Sequence, residues 1–319
     1  MCIRDRLHIE NGRRIFLDEM EAYGEAYDAC ALSMRPIGEC DDLRPDETRS
    51  LAALEEGLAI FAALLDTYPE HRRADEARYL LALYSVDVGR PQAALGHHRQ
   101  LLADHPDSPW AAEAWLFLAE DAFEQGRLEE AARGYEEVRQ HGAPDRVLFA
   151  TYKLSWCYYN IGDLDTAIAL NDETLALGET MSWTKGLRYE LLQNRVRFAA
   201  ESGRVDETLA LLDALPDGRG RRLTRQLATE LLERGKSEES AAIWEALLAA
   251  DPLSPEAPYF AQQQVDCLVN LGRYSEAEAI VAAMKSDYGS GSDWARANPT
   301  GFREAAQQLS LIHISEPTR

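Results

Sequence analysis

Glycine recurs at positions 89, 126, 162, 203, 235 and 272, and a small side chain follows each one five residues later. The six followers are Ala94, Ala131, Ala167, Thr208, Ser240 and Ala277. The glycines lie 37, 36, 41, 32 and 37 residues apart. A period near that length, with helical apolar spacing on both sides of each glycine, is the mark of stacked helix–turn–helix units. One such unit cannot bury its apolar face alone, so the units must share a continuous core with their neighbours. The reading is an all-α, right-handed α-solenoid with helix breaks at all six glycines.

Residues 110–140 show the logic most clearly. Trp115, Leu118, Ala119 and Ala122 fall on one helical face. Gly126 allows the left-handed turn that ends that helix. Leu128, Ala131, Tyr135 and Val138 then stripe a second helix, with Glu129, Glu130, Glu136 and Glu137 on its polar side. Small Ala119 and Ala131 mark where two helix backbones approach. Leu81 and Ala82, Leu154 and Ser155, and Leu227 and Ala228 repeat the pattern before their own glycines. Pro69, Pro106 and Pro252 stop second helices, because proline cannot continue one.

On these residues the chain resembles the tetratricopeptide repeats over roughly residues 51–288. Trp115, Leu118, Gly126, Ala131 and Tyr135 match the family's spacing, as do Leu81, Gly89, Ala94 and Pro106. Thr208 and Ser240 depart from it, and the interval of 41 followed by 32 predicts irregular helix lengths there. Residues 51–70 read as the second helix of a still earlier unit. The phrases ending at Pro69, Ala82, Gly162 and Trp294 are similar to tetratricopeptide proteins of the bacterial cell envelope, of the Tol–Pal, outer-membrane assembly and gliding type found in myxobacteria. That likeness implies an envelope scaffold in the bacterial periplasm, with the cytoplasm as the alternative.

The resemblance also implies a concave groove lined by the first helix of each pair. Its positions transfer to Glu76, Tyr79 and Asp87; to Glu113, Glu120 and Glu124; and to Phe149, Tyr152, Trp156, Tyr159 and Asn160. Later units give Glu190, Gln193, Arg197 and Glu201; Arg222 and Arg225; then Tyr259, Gln262, Asp266 and Asn270. Among the aromatic residues, Tyr152 and Trp156 are the leading interface anchors, with ordinary core packing as the competing reading. Arg219, Arg221, Arg222 and Arg225 could grip an acidic partner segment, or form a solvated loop paired with nearby carboxylates.

Chemistry is harder to find. The formal charge of −22 argues against nucleic acid or anionic membrane, since phosphate binding needs a basic stripe. No apolar run reaches the roughly 18 residues of a membrane span. Adjacent His97 and His98 point about 100° apart on a helix and make a poor metal pair. No HExxH, Gly-rich phosphate loop or GxSxG is present. Cys157 and Cys267 read as small buried hydrophobes, while Cys30 and Cys40 could bridge in an oxidising compartment. The expectation is a non-catalytic scaffold with no cofactor, no metal and no small-molecule substrate, holding a protein or peptide partner. The alternative is the repeat arm of a larger enzyme or signalling regulator whose effector domain lies elsewhere.

Both ends read as translated sequencing-adapter DNA. Met1–Arg6 and Leu309–Arg319 correspond to reverse-complementary strings, so 7–308 is expected to be an internal piece of a longer gene. The resulting division is 1–6 adapter, 7–50 an N-terminal helical segment and loop, and 51–288 about six and a half repeats. Residues 289–308 are a linker and the start of a further helix, and 309–319 adapter again. Within 7–50 a helix is expected from Ile15 to Met34 and a loop from Pro36 to Asp46.

Overall fold

At Gly126 the backbone turns through φ = 72°, a left-handed conformation that an L side chain adopts only at a cost. In the computed structural model, all six glycines of the periodic set have positive φ. At Gly126 the amide of Arg127 donates to the carbonyl of Ala122 (2.8 Å), and that of Gly126 donates to Phe123 (3.0 Å). This paired pattern is the Schellman closure of a helix end. It recurs at Gly89, Gly162, Gly235 and Gly272. Gly203 instead makes one bond, to Ala199 at 2.9 Å, the simpler left-handed cap.

The structure describes residues 3–32, 44–181, 185–215 and 218–299. Among them fifteen helices and no strand occur. The first two are α1 (Ile3–Leu32) and α2 (Thr48–Thr67). Twelve helices follow, one before and one after each periodic glycine in turn: α3 (Ala74–Asp87) and α4 (Pro91–Asp104), α5 (Ala111–Glu124) and α6 (Leu128–His141), α7 (Pro144–Ile161) and α8 (Leu164–Thr180), α9 (Lys185–Ser202) and α10 (Val205–Asp213), α11 (Arg219–Glu233) and α12 (Ser237–Ala250), and α13 (Ala257–Asn270) and α14 (Tyr274–Asp287), six consecutive pairs along the chain. A short α15 (Asp293–Ala297) ends the described chain. The helix expected over Ile15–Met34 is longer at its N-terminal side, and residues 33–43, which hold most of the expected loop, lie outside the described residues. Residues 300–308 and the C-terminal adapter-like string 309–319 also lie outside them.

The chain divides into two compact units, Met1–Cys157 and Tyr158–Arg319, with α7 contributing to both. In the first, α2 and α3 share a core of Leu54, Leu58, Phe61, Leu65, Leu81 and Tyr84. In the second, Trp244 is fully buried among Leu223, Leu227, Leu231 and Phe260. The last pair is closed by Trp294, which is buried against Tyr288 and donates from Nε1 to the carbonyl of Ser254 at 2.7 Å. Burial of each such side chain contributes about 1.5–3 kcal/mol.

The small residue after each turn is completely buried in all six cases. Gly134 is a close approach: a Cβ built on it would lie 2.8 Å from Cβ of Ala119. The two polar members of the set are satisfied. Ser240 donates to the carbonyl of Ala228 at 2.7 Å, and Thr208 donates to that of Arg204 at 2.9 Å. Helix lengths are irregular where the intervals were: α8 has 17 residues, α9 has 18 and α10 only 9.

Candidate partner-binding surfaces

In the first unit the sequence-derived positions lie on α3, α5 and the first part of α7. Tyr79 is half-buried and stacks on Trp110, with centroids 4.4 Å apart and planes 11° apart. Glu113 accepts from Nε of Arg146 at 2.9 Å. Glu120 accepts from Nζ of Lys153 at 3.0 Å and from the hydroxyl of Tyr135. Burial first, and this bond to a carboxylate second, raise the Tyr135 phenol far above its ordinary range. Lys153 also sits 4.4 Å from the ring centroid of Phe123 and 5.7 Å from that of Phe149. Tyr152 and Trp156 are half-buried, whereas Phe149 is exposed.

Neither Arg146 nor Lys153 was singled out from the sequence. Each lies 33 residues beyond its acidic partner, close to one repeat length. A search for opposite charges one period apart would have found both.

In the second unit Tyr159 stacks on Phe198 (4.5 Å, 19°) and donates to Glu201 at 2.6 Å. Gln193 is half-buried, and Asn160, Arg197 and Arg222 are exposed. The expected grouping of Glu120, Tyr152 and Trp156 with Tyr159 and Arg197 runs from one unit into the other, and each part stands in its own unit. Gln262 donates to Asp266 at 2.8 Å; burial raises the Asp266 carboxyl above its usual value, and that bond partly offsets it.

The arginine cluster is not a loop: Arg219 opens α11. Arg221 pairs with Asp251 at 3.1 Å, and Arg225 pairs with Glu256 while lying 5.7 Å from the Tyr259 ring centroid. Two of the four guanidiniums thus fasten α11 to the link between α12 and α13, Arg221 at the end of α12 and Arg225 at the start of α13.

One buried cation escaped the sequence reading altogether. The side chain of Arg195 is 3 % exposed and donates to Asp172 (3.0 Å) and to the hydroxyl of Thr208 (2.7 Å). Burial raises the Asp172 carboxyl, and Arg195 opposes that rise. Cys157 and Cys267 are fully buried thiols, and burial pushes the former up to about 12. Cys30 is disulfide-bonded, and Cys40 lies outside the described residues. Among the described residues no cluster of His, Cys, Asp or Glu suits a metal ion, and no helix is long and apolar enough to cross a membrane.

Two family models described as tetratricopeptide repeats match the chain, one over residues 79–147 and 225–291 and the other over 46–108. The chain is a tetratricopeptide repeat protein. Residues 148–224 of this tetratricopeptide array fall outside both matches, and they include α9, the 9-residue α10 and the Arg195 cluster. No curated protein matches. Similar solved structures include MamA (16 % identity, TM-score 0.39, 61 % of this chain and 99 % of that one). A tetratricopeptide repeat protein from Parabacteroides merdae aligns at 15 % identity and TM-score 0.41, over 74 % of this chain and 92 % of that one. Naa15/Naa10 bound to HypK-THB aligns at 15 % identity and TM-score 0.46, over 96 % of this chain and 46 % of that one.

Proposed function

We propose that this chain is a non-catalytic adaptor of a bacterial envelope complex, which holds a partner polypeptide against the first helices of its repeat pairs. A tetratricopeptide array is a protein-interaction scaffold in general; the choice of surface, partner and compartment is our reading. One observation carries the choice of surface. Within the helices of the six pairs, every large apolar side chain left exposed is on a first helix: Leu83 and Val86 on α3, Phe149 and Ile161 on α7, and Tyr259 on α13. The second helices expose none. Exposed apolar groups that are not scattered at random mark interaction surfaces, and aromatic ones give buried area at low rotamer cost.

The disulfide at Cys30 supports the periplasmic side of the proposal, since such bonds persist in oxidising compartments. The carboxylates and bases that flank the apolar positions, Glu113, Glu120 and Lys153 among them, would set the register of the bound segment.

The test places a photo-reactive phenylalanine analogue at Phe149 in one variant and at Glu137 on α6 in another, in the full chain. Incubated with an envelope extract, the Phe149 variant should cross-link a polypeptide that the Glu137 variant does not. Tyr152→Ala with Trp156→Ala should abolish that product while the helical circular dichroism signal stays unchanged. Cross-linking from α6 alone would sink the proposal; loss of helicity in the double variant would make Tyr152 and Trp156 core residues.

A further inference from the structure

Between α10 and α12, over the first turns of α11, the second unit encloses an open cavity of about 870 Å³. Its walls are largely Leu209, Ala210, Thr224, Ala242, Ile243 and Ala246. The equivalent place on α5 and α6 holds two smaller spaces, about 200 Å³ beside Trp115 and Leu118 and about 430 Å³ beside Trp115 and Arg133. Thr224 precedes Gly235 by the same eleven residues by which Trp115 precedes Gly126, so the second unit carries a small hydroxyl side chain where that pair carries an indole. The second helix is also cut short here: α10 has 9 residues, where α4, α6, α12 and α14 each have 14.

We propose that this cavity is a docking trough for a short amphipathic helix of a partner protein that carries Lys or Arg beside its apolar residues. The shape argues for a helix. Ala242, Ala246 and Ala250, spaced four apart on α12, line the cavity and are exposed. They make a flat wall about 12 Å long at 1.5 Å per residue, against which a second helix can pack at the short end of the usual 8–10 Å separation. Ile243 and Leu209 supply an apolar floor for side chains spaced three and four apart.

The charge argues for a basic partner. Asp206, Asp213 and Glu239 stand at the rim, all exposed, and none forms an ion pair among the described residues. Arg221, the one base among the lining residues, is held by Asp251. Three unmatched carboxylates around an apolar floor repel an acidic ligand and attract a cationic one, within the reach that salt allows. This surface lies on second helices and on the start of α11, apart from the exposed apolar residues that carry the proposal of the previous section, so either can fail without the other.

The experiment selects 16-residue peptides from a random displayed library on the full chain. Enriched sequences should place Leu, Ile or Met at i, i+3 or i+4 and i+7, with Lys or Arg alongside. Ala246→Trp, which fills the trough from an exposed position, should weaken a selected peptide at least tenfold. Glu239→Lys should weaken it several-fold, and the effect should shrink at high salt. Both variants should retain the helical circular dichroism signal, and Phe149→Ala should bind as the parent does; if Ala246→Trp does not fold, Glu239→Lys carries the comparison. No enrichment, enrichment of acidic peptides, or equal binding by the folded variants overturns the proposal. So does a dimer in sedimentation that Ala246→Trp abolishes, since the trough would then belong to a second copy of the chain.

Discussion

Nη1 of Arg195 donates to the hydroxyl of Thr208 at 2.7 Å, at the position where four of the six repeat turns place alanine. The polar departure from the repeat pattern and the buried cation are therefore one feature. A buried guanidinium left short of an acceptor is costly, and Thr208 supplies that acceptor on the short α10.

Thr208→Ala, although it restores the repeat's usual residue, should destabilise the chain by about 1–3 kcal/mol, the cost of a buried donor without a partner. Thr208→Ser keeps the hydroxyl and should cost less. Urea unfolding followed by circular dichroism gives the comparison. A neutral or stabilising Thr208→Ala would mean that the carboxylates of Asp172 and Glu207 suffice for Arg195.

His98 is buried between Tyr79 and Phe117, and burial, aided by neighbouring His97, lowers its pKa to about 4. The unfolded chain binds this proton near pH 6.5, the folded chain only near 4. Stability from this site is therefore whole above the unfolded value and falls as pH drops from 6.5 to 4, by roughly 3 kcal/mol in all. His98→Leu should flatten that part of the urea-midpoint profile relative to the parent. Parallel profiles would place the imidazole in contact with solvent.

Lys236 replaces what the weaker turn at Gly203 omits. That turn leaves the carbonyl of Ala200 without the glycine amide that a Schellman closure would give it, and Nζ of Lys236 donates to it and to the carbonyl of Glu201, both at 2.8 Å. A cation at a helix C-terminus contributes about 0.3–1 kcal/mol. Lys236→Met should raise amide exchange in the last turn of α9 by up to about fivefold and leave α5 unaffected. Uniform acceleration across the second unit would contradict a local role.

Gly134→Ala should cost more than Gly126→Ala. At Gly126 nothing lies within 4 Å of an added Cβ, so the penalty is the left-handed backbone alone, about 1–2 kcal/mol. At Gly134 the new methyl meets Cβ of Ala119 at 2.8 Å and the carbonyl of Trp115 at 3.3 Å, which forces α5 and α6 apart. Equal urea midpoints for the two variants would show that this helix pair yields at little cost.

The turns were legible because a left-handed residue leaves a chemical trace, glycine, at a fixed distance from a buried small residue. All six glycines and all six small positions lie where the pattern puts them, and the irregular intervals mark the irregular helices. Side-chain partners were less legible. Periodicity places Glu113 and Glu120 on a face but does not say that Arg146 and Lys153 meet them from the next pair. Arg195 was hidden because a lone arginine in an amphipathic pattern reads as surface. The cavity lies beside Thr224, at the position where α5 carries Trp115, a difference that is visible only when one repeat is laid over another.

Four of the six turns carry a base that reaches back to the pair before: Arg90 to Glu55, Arg204 to Asp165 (3.0 Å), Lys236 to Ala200, and Arg273 to Glu238 (3.1 Å). Each tie spans 35 to 39 residues, so it joins one module to its immediate predecessor and to nothing else. A gene built this way can lengthen by tandem duplication of a module, because the new copy arrives with half of each joint already made. One module carries a further tie: Arg195 on α9 reaches back to Asp172 on α8 and meets Thr208 within its own pair, so a copy of that module needs both partners in place.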